Sequence, residues 1–130
     1  LNGGAGADRL TGGLGKDILF GGADADAFNF NSIRESKVNT PDVIKDFHHA
    51  QRDFIDLSGI DANTKVDDIQ PFNFIGAHAF HHKAGELHFV SDHHHGVFVE
   101  GDVNGDGRAD FRIDVQHVHH LVANDFLVAT

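Results

Sequence analysis

Residues 3–30 keep a nine-residue beat. Glycine pairs open at Gly3, Gly12 and Gly21, and aspartates fall at Asp8, Asp17 and Asp26, each step nine residues long. The first unit is Gly3-Gly4-Ala5-Gly6-Ala7-Asp8-Arg9-Leu10-Thr11, and units 12–20 and 21–29 repeat it. Each carries an apolar residue at the same place: Leu10, Leu19 and Phe28. Such a period constrains the fold more than local preference does, because one short unit buries its apolar side chain only by stacking on its neighbours. Six residues of turn and three of strand is the natural division. Glycine permits backbone angles that other residues resist, so several carbonyls can point at one spot. A carboxylate from the aspartate joins them. Carbonyls and carboxylates together suit a hard cation, and flexible geometry with six or more oxygens favours Ca²⁺ over Mg²⁺. The competing explanation is a glycine-rich linker, and strict spacing in three consecutive units counts against it.

Composition narrows the partners. The 130 residues are one domain's worth, and 40% hydrophobic content is enough for most of the chain to fold. A formal net charge of −10 at pH 7 argues against nucleic acid and anionic membranes and suits bound cations. Without cysteine there is no disulfide and no thiolate metal site. No apolar run is long enough to insert across a bilayer, and no N-terminal signal peptide is visible. The chain opens on Leu1, just before a repeat begins, and reads as the C-terminal piece of something longer.

Beyond the repeats the pattern changes to alternation, which predicts strands over 27–31, 43–47, 53–57, 72–75, 85–90, 97–100, 109–115 and 125–128. Helix signal is poor. Residues 61–69 are expected to form a short helical turn with Asp61 as its cap. Asp102-Val103-Asn104-Gly105-Asp106-Gly107 looks like the opening of an EF-hand loop, but its twelfth position is Ile113 where a bidentate glutamate belongs. An Asn-Gly-Asp-Gly run between two alternating strands is equally a hairpin turn, and the turn is favoured.

The glycine-aspartate nonapeptides resemble those of bacterial repeats-in-toxin (RTX) proteins. Further segments carry a more specific likeness: Arg34-Glu35-Ser36, Pro41-Asp42-Val43-Ile44-Lys45-Asp46-Phe47, Asp53-Phe54-Ile55-Asp56-Leu57-Ser58-Gly59, Ala84-Gly85-Glu86-Leu87, 101–111 and Asp125-Phe126-Leu127. In this order they are similar to the C-terminal domain of serralysin-type metalloproteases. The resemblance implies an all-β fold: a parallel calcium-binding β-roll over residues 1–30 that continues into an antiparallel β-sandwich cap over residues 31–130. It also implies that two nonapeptides complete one coil, so that turns eighteen residues apart stack with Ca²⁺ between them. On the family's pattern the ligands are backbone oxygens of the second and fourth turn positions plus the aspartate: Gly4, Gly6 and Asp8; Gly13, Gly15 and Asp17; Gly22, Asp24 and Asp26. Asp24 departs from the pattern, standing where the other units have Gly6 and Gly15. The family closes its last sites with acids matching Glu35 and Asp42. The eighteen-residue step reaches Glu35 from Asp17 independently, whereas Asp42 rests on the resemblance alone.

No catalytic motif is present. His-Glu-x-x-His and Gly-x-Ser-x-Gly are both absent, and acids placed to hold a cation stay ionised, a poor setting for a general acid. The chain therefore reads as a non-enzymatic module of a secreted enzyme or effector. Without Ca²⁺ its carboxylates repel and its glycines keep the repeats loose. Extracellular calcium modules bind with Kd of about 10⁻⁴–10⁻³ M, so folding is expected outside the cell. At the C-terminus, Asp125 followed by Phe126, Leu127 and Val128 is similar to the uncleaved type I secretion signal, which makes the type I secretion machinery a partner. The plain reading of the same residues is a last β-strand, and the two are compatible. An alternative function is accessory polysaccharide binding, against which stand the negative charge and the lack of Trp and Tyr. The 12 histidines fit no part of the family pattern. His93-His94-His95 in an expected loop, and His117 and His119 on one expected strand face, are candidates for Zn²⁺ or Ni²⁺.

Overall fold

A computed structural model describes residues 1–93 and 96–129. Among them the chain is all-β, with ten strands in two sheets and three single 3₁₀ turns. The strands are β1 (Arg9–Thr11), β2 (Ile18–Leu19), β3 (Ala27–Asn29), β4 (Asp42–Ile44), β5 (Phe54–Asp56), β6 (Asn73–Phe74), β7 (Glu86–Ser91), β8 (Gly96–Asp102), β9 (Phe111–Gln116) and β10 (Phe126–Leu127). No helix among the described residues is long and apolar enough to cross a membrane.

The nine-residue beat explains the path. Each turn reverses the chain, so successive strands fall alternately into the two sheets. β1, β3 and β5 enter a parallel four-stranded sheet ordered β1-β3-β5-β10, while β2 and β4 enter a six-stranded sheet ordered β2-β4-β9-β8-β7-β6. The repeat's apolar position forms a ladder in each. Leu10 stands in register with Phe28 and Phe28 with Ile55; Leu19 stands with Ile44 and Ile44 with Val115. All six are buried in one core that extends to Leu121. Burying a side chain of this size contributes about 1.5–3 kcal/mol.

After β5 the second sheet takes over. β7, β8 and β9 pair antiparallel, and β9 joins the repeat-borne strands through its parallel pairing with β4. Strict alternation puts Phe111, Ile113 and Val115 in the core, with Arg112, Asp114 and Gln116 on the other face. Gly101 is required here: a Cβ at that position would lie 2.4 Å from the Phe111 ring. The cross-strand run His88–Glu100–Arg112 fixes the register, with His88 Nε2 3.0 Å from Glu100 Oε1 and Arg112 Nε 2.7 Å from Glu100 Oε2. Burial pushes the Glu100 carboxyl up, but the hydrogen bonds from His88 and Arg112 outweigh it and the net shift is downward.

Two local expectations are corrected. Residues 61–69 contain no helix. Asp61 Oδ1 accepts from both Asn63 N and Gln70 N, closing a loop, and Asp68 turns left-handed at φ 66°. Short acidic side chains compete for the backbone in this way and break helices. The strand expected to carry His117 and His119 ends at Gln116, because His117 adopts φ 64°.

Candidate metal centre

The turns of the repeats stack as a ladder of aspartates. On one edge, Asp8 N donates to Asp26 Oδ1 at 2.9 Å, and Asp26 N donates to Asp53 Oδ1 at 2.9 Å. On the other edge, Asp17 N donates to Asp42 Oδ1 at 2.8 Å. One oxygen of each upper carboxylate thus fixes the backbone of the turn below, and in Asp26 and Asp42 the other is left over. The Oδ2 atoms of Asp8, Asp17, Asp26 and Asp42 are buried without any hydrogen-bond partner. Among the described residues only six buried side-chain polar atoms lack a partner, and these are four of the six. An orphaned buried polar atom costs about 1–3 kcal/mol, and more when charged. Four in register is a cost that a cation would remove.

The glycines shape the same place. A Cβ on Gly12 would lie 2.5 Å from Asp17 Oδ2, and one on Gly21 would lie 2.4 Å from Asp26 Oδ2. Only glycine leaves room for the oxygen under its own turn. The second and fourth turn positions are left-handed: Gly4 and Gly6 at φ 86° and 88°, Gly13 and Gly15 at 77° and 86°, Gly22 at 91°. Asp24 takes the same conformation at φ 71°, which aspartate tolerates. Its Oδ2 accepts from Gly6 N at 3.1 Å, so this departure from the repeat caps the turn stacked on it.

Burial and neighbouring acids raise the carboxyls of Asp26 and Asp42. Burial raises the Asp26 carboxyl, and the charges of Asp53, Asp8 and Asp46 push it further, against the lowering hydrogen bond from Asp8 N. Asp42 is raised to about 7, by burial first and then by the charges of Asp17 and Glu35. The donor set is oxygen only, which fits Ca²⁺. Gly4, Gly6, Asp8, Gly22, Asp24 and Asp26 lie in one pair of stacked turns; Gly13, Gly15, Asp17 and Asp42 lie on the opposite edge.

Asp17 finds its hydrogen-bonding partner 25 residues on, at Asp42, not eighteen residues on at Glu35. The difference is the loop around the 3₁₀ turn Ile33–Glu35, which lengthens this coil. Glu35 accepts from Asn31 N at 3.3 Å and acts on Asp42 through its charge. Two acids were missed by the sequence reading. Asp46 accepts from Gly21 N and Gly22 N, and Asp53 accepts from Asp26 N and His48 N. Both oxygens of Asp53 are occupied by amides, so the ladder ends there.

A second acidic cluster lies in the hairpin between β8 and β9. One oxygen from each of Asp102, Asp106 and Asp110 lies within 4.8 Å of the others. The loop joins the antiparallel pair β8–β9, and Asp102 accepts from the amides of Asn104, Gly105 and Gly107. Ile113 is buried in β9, so no carboxylate closes an EF-hand there.

At the C-terminus, Asp125 is buried. It accepts from Val122 N at 2.7 Å and contacts His49 Nδ1 at 2.9 Å. Phe126 and Leu127 form β10 beside β5, and Val128 packs on the core. Of the histidine loop, His93 is exposed; His94 and His95 lie outside the described residues.

A family model described as Peptidase M10 serralysin C terminal matches residues 3–128. A comparison with curated proteins returns no match. The matched span takes in every strand of both sheets and every rung of the aspartate ladder, and the chain belongs to the serralysin C-terminal family of peptidase M10.

Proposed function

We propose that the chain is a calcium-binding RTX module, with residues 1–30 a parallel β-roll and residues 31–130 its β cap, that folds on Ca²⁺ outside the cell. It serves a secreted enzyme or effector encoded upstream, and the reading assigns no catalytic step to these residues. Asp8, Asp17, Asp26 and Asp42 supply the charged ligands, with Glu35 and Asp24 beside them and the carbonyls of Gly4, Gly6, Gly13, Gly15 and Gly22 completing the oxygen set. The observation that carries the reading is the set of four buried, partnerless Oδ2 atoms. When bound, Ca²⁺ supplies the positive charge that lets these carboxylates stay ionised out of water. The chain's own part is to hold the turns in register through the Asp8–Asp26–Asp53 and Asp17–Asp42 hydrogen bonds.

Asp125, Phe126, Leu127 and Val128 act as the type I secretion signal while the chain is unfolded, and pack as the last strand once it folds. A secretion assay with a type I exporter tests both parts together. The full chain should reach the medium. A chain lacking residues 124–130 should stay inside the cell, yet still take up Ca²⁺ in calorimetric titration after purification. Normal export of the truncated chain would remove the signal from the reading, and absence of Ca²⁺ uptake by the full chain would remove the metal.

A further inference from the structure

Five histidines from two distant stretches converge on one surface depression. It has a volume of about 410 Å³ and lies between residues 47–50 and 117–120, lined by His48, His49, His117, His119 and His120. Nothing in the aspartate ladder explains this grouping, and its donors are nitrogen, not oxygen.

His49 is held from behind by an acid. Its Nδ1 lies 2.9 Å from Asp125 Oδ1, and Asp125 is itself buried and fixed by Val122 N. A carboxylate can only accept, so Nδ1 carries a hydrogen, and in the neutral imidazole the lone pair is then on Nε2. A carboxylate that orients a histidine from behind is the usual support of a histidine–metal bond. The edge of Phe47 packs against the same ring, with centroids 5.5 Å apart at 87°. His120 stacks on the same ring, with centroids 5.8 Å apart and planes inclined by 21°. His48 and His119 are exposed on the rim of the same depression.

We propose that this depression is a site for a borderline divalent metal, Zn²⁺ or Ni²⁺, with His49 and His120 as the first two ligands and His48 or His119 completing the set. Asp125 is the positioning residue. Among the described residues no three histidine nitrogens already lie within 4.8 Å of one another, and the stacked rings of His49 and His120 do not both aim at one point, so His120 and the rim side chains close round the ion by rotamer changes, which are fast for exposed groups. The metal would clasp the segment after β9 to the 3₁₀ turn His49–Gln51, beside the last strand. Imidazole nitrogen selects Zn²⁺ or Ni²⁺ and oxygen selects Ca²⁺, so the two metals use separate sites.

The test is calorimetric titration of Zn²⁺ into the calcium-loaded full chain, with Co²⁺ spectra reporting nitrogen coordination. His49→Ala and His120→Ala should each weaken Zn²⁺ binding at least about tenfold, and Asp125→Asn should weaken it by about tenfold through lost orientation. Both alanine variants alter exposed side chains, so their circular dichroism and Ca²⁺ uptake should match the parent; this separates the zinc site from the calcium reading. Changing His93, His94 and His95 together to serine should leave Zn²⁺ binding in place. The proposal is overturned if the parent takes up no Zn²⁺, if the two alanine variants bind as the parent does, or if the serine triple variant abolishes binding.

Discussion

Asp26→Ala should abolish most of the chain's response to Ca²⁺ while costing far less in its absence. Asp26 is fully buried, and three functions meet on it. Its Oδ1 holds Asp8 N, its own N–H is held by Asp53, and its Oδ2 points under Gly21 with no partner. With Ca²⁺ bound, the substitution removes a charged ligand and leaves Asp8 N unsatisfied. A shift of the calcium midpoint by about a hundredfold is expected, equivalent to about 2.7 kcal/mol. In chelator the same substitution also removes an uncompensated buried charge, which offsets the lost hydrogen bond. Asp26→Asn isolates the charge, because its side-chain oxygen still accepts from Asp8 N. Asp67→Asn is the control, since Asp67 is exposed in the 61–70 loop. Denaturant unfolding with and without Ca²⁺ is the measurement. An Asp26 variant equally destabilised in both conditions would mean that the residue serves packing alone.

Calcium affinity should fall in acid, beginning near pH 7 and not near pH 4. The cause is Asp42, whose carboxyl is raised from 3.8 to about 7 by burial and by the charges of Asp17 and Glu35. A carboxyl raised by folding binds its proton more tightly in the folded state. That proton stabilises the metal-free fold at low pH, and the contribution is lost as pH rises through about 7. The metal-free chain should therefore hold more structure at pH 5 than at pH 8. Ca²⁺ must displace the proton, so below pH 7 binding at this edge should release about one proton and weaken about tenfold per pH unit. Calorimetry in two buffers of different ionisation enthalpy counts the protons. Asp42→Asn should bind more weakly throughout and lose the slope. An affinity constant between pH 5.5 and 7.5 would refute the assignment.

Much of the fold was legible because one rule generates it. An aspartate followed two residues later by an apolar residue occurs at Asp8–Leu10, Asp17–Leu19 and Asp26–Phe28, and every one of those apolar residues is buried. The same rule continues at Asp42–Ile44 and Asp53–Ile55, both apolar residues again fully buried and both in register with the repeats. That pattern was the available signal for Asp53, hidden because the glycines that punctuate the repeats stop at Gly22. Alternation located β9 because one of its faces lies on the core and the other does not. Arithmetic failed where chain was inserted: an eighteen-residue step pointed from Asp17 to Glu35, whereas the 3₁₀ turn Ile33–Glu35 lengthens the coil and brings Asp42 into place. Asp61 was misread because an acid that caps a helix in one context closes a loop in another. The histidine depression was legible only in part: His117 and His119, which line it, stood out in the sequence, but on a strand that ends before them. His49 and His120 meet through the return of β9 and the packing of Asp125, and spacing along the chain carries no trace of that.

The central claim is that Ca²⁺ and this fold are one equilibrium. Far-ultraviolet circular dichroism of the full chain, recorded in chelator and then across a calcium titration, tests it directly. The account predicts weakened β signal in chelator, recovery at millimolar Ca²⁺, and no recovery at equal Mg²⁺, which does not readily shed its waters for carbonyl cages. The β7–β8–β9 hairpins have their own hydrophobic face, so a residual signal in chelator is part of the prediction. A spectrum in chelator identical to the calcium-loaded one, with unchanged resistance to denaturant, would contradict the account.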